Sequence, residues 1–408
     1  MTQPVSYRSV LTSRNVPQLL LAASLFRLGH AMMLFAVVLY AIAQFDSAAV
    51  AGLSGFFLTF PGFVVSPVAG AILDRFGAVR AVALDGVGSA VCIGAIGISS
   101  LSGVLTPALL FLLLALYSLT SPLTDGGIRT LFPQFVPEAA YDKANALDLS
   151  TYSVIEVAGP LAAGALFAAA GPDPTLMTIA AMYAMAGFSL ALLRGGSRPA
   201  APGGGTERHL LQAAWDGIRY LARNATLRAL AVSYSVFQVA YGMLIVVVPV
   251  AVERWFADGD SAGRLAGAMW SVAGLFGGLG ALLAGKMLHA GVERRYMAGA
   301  TVVAALAVFP LSALGSLIAL GAGLAVFGMA EGTVNVSLLS LRQRRTDPGW
   351  LGRIMTVSIS VNLIGFPVGT ALGGFLAGAV SLRTTFAVAA ALTLVSAGCA
   401  RLLIPREA

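Results

Sequence analysis

GAILDRFGAVR, Gly70 to Arg80, is a short charged break in an apolar chain, and the residues on either side of it decide what kind of fold this is. Residues 51–73 contain no charged side chain, and residues 81–101 contain only Asp85. Each run has about the 20 residues that a helix needs to cross a hydrocarbon core. The same alternation continues in both directions. Runs at 17–43, 51–73, 81–101, 106–128, 146–170 and 174–193 are followed by runs at 227–252, 264–285, 296–314, 317–340, 354–378 and 383–403. Over all 408 residues 58% are hydrophobic and 11% charged, whereas a soluble domain carries about 25% charged residues. The expected fold is an all-α polytopic membrane protein with twelve transmembrane helices in two pseudo-symmetric six-helix bundles.

The basic residues set the orientation. Of the 25 lysines and arginines, only Arg254, Arg264 and Arg383 fall near the opposite ends of spans and only Arg27 falls within one. The rest gather on the side of the N-terminus and the even-numbered connections. The positive-inside rule places that side, with both termini, in the cytoplasm. The formal charge of +7 then follows from topology and attraction to the membrane surface, and nucleic acid has no part in it. The apolar run after the N-terminal residues continues past Val38 without a cleavage site, so it reads as a retained first span.

Metal and enzyme chemistry have little to stand on. Cys92 and Cys399 lie far apart in separate apolar runs, which argues against a disulfide framework or a zinc site. His30, His209 and His289 are scattered, and no HExxH, CxxC, GxGxxG or GxxxxGK[ST] pattern occurs. No metal and no cofactor is expected. A membrane-embedded enzyme would need converging nucleophile, base or ligands, and only His30 is eligible.

The centre of the chain divides it. GGSRPAAPGGG (Gly195–Gly205) precedes a helix candidate with Leu210, Leu211, Ala214, Trp215, Ile218 and Leu221 on one face and with Arg219 and Arg223 placed for headgroup phosphates. The expected domains are 1–194, a linker at 195–226 and 227–408. The halves repeat: FRLGHAM (Phe26–Met32) aligns with FQVAYGM (Phe237–Met243), and Gly159 and Gly164 align with Gly369 and Gly374. Parallel six-helix repeats place a substrate path between the halves, near the midplane.

The opening loop, taken with the twelve runs and the repeat, resembles the G-x-L-x-D-R-x-G-R/K-R/K signature of the major facilitator superfamily. Gly70, Leu73, Asp74, Arg75, Gly77 and Arg80 fit it, while Ala78 and Val79 depart from it. The second copy, GKMLHAGVERR (Gly285–Arg295), has His289 where the aspartate would be. The resemblance implies that Asp74, with Arg75 and Arg80 as partners, braces the outward-facing state against the positive N-terminal end of span eleven near Ile354; plain positive-inside anchoring is the alternative. Asp85, five residues past Arg80, reads as a member of the same loop network. The run Arg129–Leu166 is similar to the drug:proton antiporter-3 branch, which holds siderophore exporters and macrolide efflux proteins. Gly159, Pro160 and Gly164 form a partial version of its fifth-helix GPxxGG pattern, with Ala163 in place of one glycine. Small residues there let spans five and eight approach, with Gly274, Gly277, Gly278 and Gly280 as the opposing surface.

An ionisable group within a span costs about 2.5–3.5 kcal/mol on insertion scales, which makes each one a candidate for function. Arg27 lies midway along span one with His30 on its face, and their repeat partners are Gln238 and Tyr241. Two roles fit Arg27: facing the pathway, or pairing with Glu156 or Asp125 to satisfy packing. Glu156, one turn before Gly159-Pro160, fits either a proton carrier or the counter-ion of Arg27. Glu331, mid-span with Asn335 at i+4, reads as the principal coupling carboxyl; its repeat equivalents are Ser121 and Asp125. Tyr117, Tyr152, Tyr234 and Phe237 fit either stacking on a planar ligand or packing.

Taken together, these features point to a secondary transporter working by alternating access with protons as coupling ion, and the branch resemblance implies that an amphipathic or anionic small molecule is expelled. An uptake permease and a non-transporting membrane sensor are the alternatives. The expected setting is the bacterial inner membrane, with a lipid bilayer, a small-molecule substrate and protons as partners and the protein a monomer.

Overall fold

The computed structural model describes residues 15–135, 141–193, 207–256, 260–312, 316–347 and 350–405. Among them all regular structure is helical. The helices are α1 (Val16–Phe45), α2 (Ala48–Phe76), α3 (Ala78–Leu101), α4 (Pro107–Phe135), α5 (Tyr141–Ala170), α6 (Pro172–Ala191) and α7 (Glu207–Arg223). They continue as α8 (Ala225–Phe256), α9 (Asp260–Met287), α10 (Glu293–Val308), α11 (Leu317–Arg344), α12 (Leu351–Leu363), α13 (Gly365–Ala379) and α14 (Leu382–Leu403). Ten helices among the described residues are long and apolar enough to cross a membrane. The apolar part of α5 is the shorter Val154–Ala170, and α10 is continued by a 3-10 turn at Phe309–Ser312. With most side chains apolar on every face, these helices have no polar side to present to water, which is the pattern of a membrane bundle.

Glycine punctuates the joints. Gly77 separates α2 from α3 with φ +82°, and Gly171, at φ +90°, precedes Pro172 at the start of α6. A side chain is strained at such φ values, and proline is preorganised for a first helical turn.

The chain forms two compact units. The first comprises 1–36, 57–163 and 170–211, and the second 37–56, 164–169 and 212–408. In the first, α3 packs on α4 and α6; a Cβ at Gly86 would sit 2.8 Å from the Cα of Gly187, so α3 and α6 touch backbone to backbone. In the second, α10 packs on α11 and α14, α9 on α11, and α8 on α13 and α14. One pairing therefore recurs in the two units: α3 with α4 and α6, and α10 with α11 and α14.

The second unit also takes in 37–56 and 164–169 through small-residue contacts. A Cβ at Gly52 would lie 2.4 Å from the Thr370 carbonyl oxygen, and one at Gly164 2.2 Å from that of Gly263. The fifth-helix pattern is therefore shared: Gly159 lies against Ala31 of α1, and Gly164 against Gly263 and Gly267 of α9. Gly277 and Gly280, expected opposite span five, instead face α11, where Gly328 and Gly332 close the crossing. Their spacing along α9 explains the difference, because Gly263 and Gly267 lie near its opposite end.

Gly369 shows how close these crossings are. A Cβ there would stand 2.0 Å from the Val239 carbonyl oxygen of α8. Gly369→Val will lower the thermal midpoint of the detergent-solubilised protein, by the equivalent of about 1–3 kcal/mol of overpacking. An unchanged midpoint would show that α8 and α13 can part.

The linker helix α7 is fixed to the second unit by its C-terminal turns. Gly217 and Leu221 are buried, while Trp215 and Ile218 are exposed. The Tyr220 ring stacks on Trp350 at 4.8 Å and 16°. Its hydroxyl donates to Asp347 Oδ2 at 2.8 Å and accepts from the Asp347 amide at 3.2 Å. Asn224 Nδ2 donates to the Arg345 carbonyl at 3.1 Å.

One span is interrupted. At Ile364 the ladder between α12 and α13 breaks, with the Ile364 amide bonding weakly to Val361 O at 3.4 Å. Ser235 Oγ of α8 donates to the same Val361 carbonyl at 3.0 Å. Gly365 lets the chains meet, since a Cβ there would fall 2.0 Å from the Ser235 carbonyl oxygen.

Candidate coupling sites

In the first unit the polar groups of α1 and α5 meet. Arg27 donates to Asp148 through two nitrogens, Nη1 to Oδ1 at 2.6 Å and Nη2 to Oδ2 at 2.9 Å. Its guanidinium also lies 5.5 Å from the ring centroid of Tyr152. Asp148, Tyr152 and Glu156 are spaced by four residues and occupy one stripe of α5. Glu156 and Asp125 are exposed, and the partner of Arg27 is neither of them. Asp148 is the residue the sequence reading missed, because it lies two residues inside the limit drawn for span five. An arginine inside one span should have prompted a search for every acid near the start of another, since a buried guanidinium needs a bidentate acceptor.

His30, the helical neighbour of Arg27, reaches a different partner. Its Nδ1 lies 3.1 Å from the Tyr117 hydroxyl, which lies 2.5 Å from that of Tyr183. The rings of Tyr117 and Tyr183 are edge to face at 5.7 Å and 88°. α1, α4 and α6 are joined by this row, with Tyr117 and Tyr183 buried. Tyr117 therefore has a packing and hydrogen-bonding place within the unit.

Asp85 belongs to the interior and not to the loop. Its carboxylate accepts from Ser89 Oγ at 3.2 Å and from the Thr124 hydroxyl of α4. Of the loop signature, Gly77 makes the positive-φ joint, and Arg75 and Arg80 are exposed. The side-chain positions of Gly70 and Asp74 lie outside the described residues. In the second copy Glu293 is buried, accepts the Gly291 amide at 2.8 Å and lies 3.2 Å from Arg344 Nε.

In the second unit Glu331 and Asn335 stand together on α11, as their spacing requires. Tyr234 of α8 donates its hydroxyl to Asn335 Oδ1 at 2.7 Å, and Asn335 Nδ2 donates to Glu331 Oε1 at 3.2 Å. The α9 backbone closes the other side, with Gly277 open toward Glu331 Oε2. Gln238 is buried on α8. Tyr241 lies 5.6 Å from Trp270, 6.0 Å from Phe327 and 6.0 Å from Phe366, centroid to centroid. Phe237 stacks on Phe327 at 5.9 Å and 5°. The structure thus brings Glu331, Asn335 and Tyr234 into one hydrogen-bonded row beside an aromatic cluster. Arg342, counted from sequence among loop cations, is buried instead. Asn362 of α12, with its amide oriented to suit both neighbours, accepts from Arg342 Nη2 at 2.5 Å and donates to Ser358 O at 3.2 Å. Among the described residues no group of three or more His, Cys, Asp or Glu is placed to hold a metal ion.

Two units with one packing pattern, each carrying polar rows inside long apolar helices, suit a membrane carrier. Residues 19–369 match the Major Facilitator Superfamily profile. The chain belongs to the major facilitator superfamily. This facilitator is 41% identical to the uncharacterized MFS-type transporter y4rN of Sinorhizobium fredii, over all of the chain and 99% of that protein. It is 25% identical to the multidrug efflux pump Tap of Mycolicibacterium fortuitum, over 85% of each chain. Its fold matches the nucleoside transporter NupG with TM-score 0.76 at 15% identity, covering 96% of this chain and 99% of that one. A bacterial homologue of the human lysosomal transporter Spinster, inward-facing and occupied, matches with TM-score 0.75 at 15% identity, covering 99% and 97%. The protein is a multi-pass major facilitator transporter.

Proposed function

We propose that this transporter exports an amphipathic or anionic small molecule, of drug or siderophore type, in exchange for protons. The observation that carries the reading is Glu331, a carboxyl on an apolar helix with an amide and a phenol in a row behind it. Such a group carries charge only where water or a partner reaches it, so its proton occupancy depends on which side of the membrane it faces. The export direction is supported by the similarity to Tap, named a multidrug efflux pump, and by the partial fifth-helix pattern, whose Gly159 and Gly164 make close contacts with α1 and α9.

In this reading the chain spans a bacterial inner membrane twelve times with both termini in the cytoplasm, and works as a monomer with 1–194 and 227–408 as rocking halves joined by 195–226. Glu331 takes a proton from outside and gives it up inside. Glu156 and Asp125, exposed polar groups on α5 and α4, lie along the pathway with Gln238 and Tyr241. Arg27 and His30 hold the first unit's polar face, and Asp74 braces one state.

Accumulation in intact cells tests this. A catecholate siderophore, a macrolide and a cationic dye are each followed with and without the expressed protein, and with and without a protonophore. Export predicts lower accumulation of at least one compound, restored by the protonophore. Raised accumulation would make the protein an importer, and protonophore-insensitive lowering would remove the proton.

A further inference from the structure

We propose that Asp85 is a second proton site of this transporter: a neutral carboxylic acid while the α3–α4 seam is closed, and a carboxylate once water reaches it. The inference rests on the proton-coupled reading above, yet concerns a different unit from Glu331.

Asp85 lies about two turns into α3, in an apolar helix, and is 1% exposed. Its carboxyl oxygens meet hydroxyls. Ser89 lies one turn along the same helix, and Thr124 reaches across from α4, with Thr120 beside it. The other titratable groups within electrostatic range of it are Asp125 and Tyr117 from α4, Tyr183 from α6 and Cys92 along α3. From α1 the seam is met by Phe26, while His30 bonds to Tyr117 and not to the carboxyl. Among the described residues no cation lies at ion-pair distance from Asp85.

An ionised carboxylate taken out of water with only hydroxyl partners is costly, and a nearby second carboxyl adds repulsion. Binding one proton removes both penalties. The two hydroxyls suit either form. The carboxylate accepts from Ser89 and Thr124; the acid donates through one oxygen to one of these hydroxyls, which turns its own hydrogen to a backbone carbonyl one turn back. On ionisation the O–H bond of Asp85 breaks and the proton passes to entering water, leaving the electron pair on the carboxylate. A structural role alone would be served by an asparagine, which gives and takes the same hydrogen bonds without a site to titrate.

Infrared spectroscopy of the full-length protein in lipid reads this without any substrate. The protonated-carboxyl C=O band is followed as pH is raised, in wild type, Asp85→Asn, Thr124→Val and Glu331→Gln. The expected result is a band present at neutral pH and lost reversibly in the alkaline range. It should be absent from Asp85→Asn, moved to higher wavenumber in Thr124→Val by loss of a hydrogen bond, and intact in Glu331→Gln. If Asp85→Asn does not fold, the Thr124→Val displacement identifies the band. A spectrum without any Asp85 or Thr124 dependence at neutral pH would overturn the proposal, as would a band that persists through the alkaline range, since the acid would then be locked. Protonophore-insensitive transport in the cell assay would sink the proton-coupled reading while leaving this band to be judged separately.

Discussion

Arg27→Ala will destabilise the folded protein by about 3 kcal/mol, the lower end of the roughly 3–5 kcal/mol that follows when one partner of a buried ion pair is removed. The lower end applies because both side chains are 16% exposed. What remains after the substitution is Asp148 on an apolar helix without the fork that satisfied both of its oxygens, and Tyr152 without the cation beside its ring. Asp148→Ala leaves the guanidinium stranded and should cost a similar amount. The double variant Arg27→Met/Asp148→Leu removes both charges and should recover most of the loss, because the pair's attraction is largely offset by its desolvation. Thermal unfolding in detergent, with the four proteins compared as a double-mutant cycle, measures this. Additive losses in the double variant would show that the two side chains do not depend on each other.

The second large effect is expected at Glu331. Glu331→Gln keeps the shape and the bond to Asn335 but removes the titratable oxygen, so the protonophore-sensitive part of export should vanish in cells that still make the protein at normal levels. Substrate exchange across proteoliposomes without a pH gradient should persist, since the glutamine stands in for the proton-bound form. Tyr234→Phe, which breaks the row at Asn335, should weaken export without ending it. Export by Glu331→Gln at the wild-type rate, with the protonophore still effective, would take the coupling role away from this residue.

The helical runs were legible in sequence because crossing a bilayer demands long apolar segments, and that demand leaves a simple pattern. The Glu331–Asn335 pairing was legible for a similar reason: i and i+4 share a helix face whatever the rest of the fold does. Contacts between helices were not. Nothing in the spacing of α1 and α5 says that Arg27 meets Asp148 rather than Glu156, because that choice is set by the relative height of two helices, and Glu156 lies two turns farther along the same stripe. Asp85 was misplaced for the opposite reason. Its nearness to Arg80 in sequence suggested the loop, but a helix rises about 1.5 Å per residue, and five residues carried it into the α3–α4 seam. Arg342 likewise sat at the edge of a basic run and was turned inward to Asn362. The glycines of α9 were recognised as a contact surface, but which helix each of them met depended on the crossing points.

The break at Ile364 has a consequence for how the protein is made. A carbonyl left with a weak backbone partner inside a membrane helix has no water to turn to, and Val361 receives a hydroxyl donor from Ser235, 126 residues earlier in the chain. At synthesis rates of about 5–20 residues per second, α8 leaves the ribosome roughly 6–25 s before its partner. The donor is therefore synthesised before the interrupted span, so the broken helix has its clasp available as it inserts. Order of birth, as much as final geometry, suits this interruption: a chain in which α12 preceded α8 would have to insert the break first and wait for its clasp.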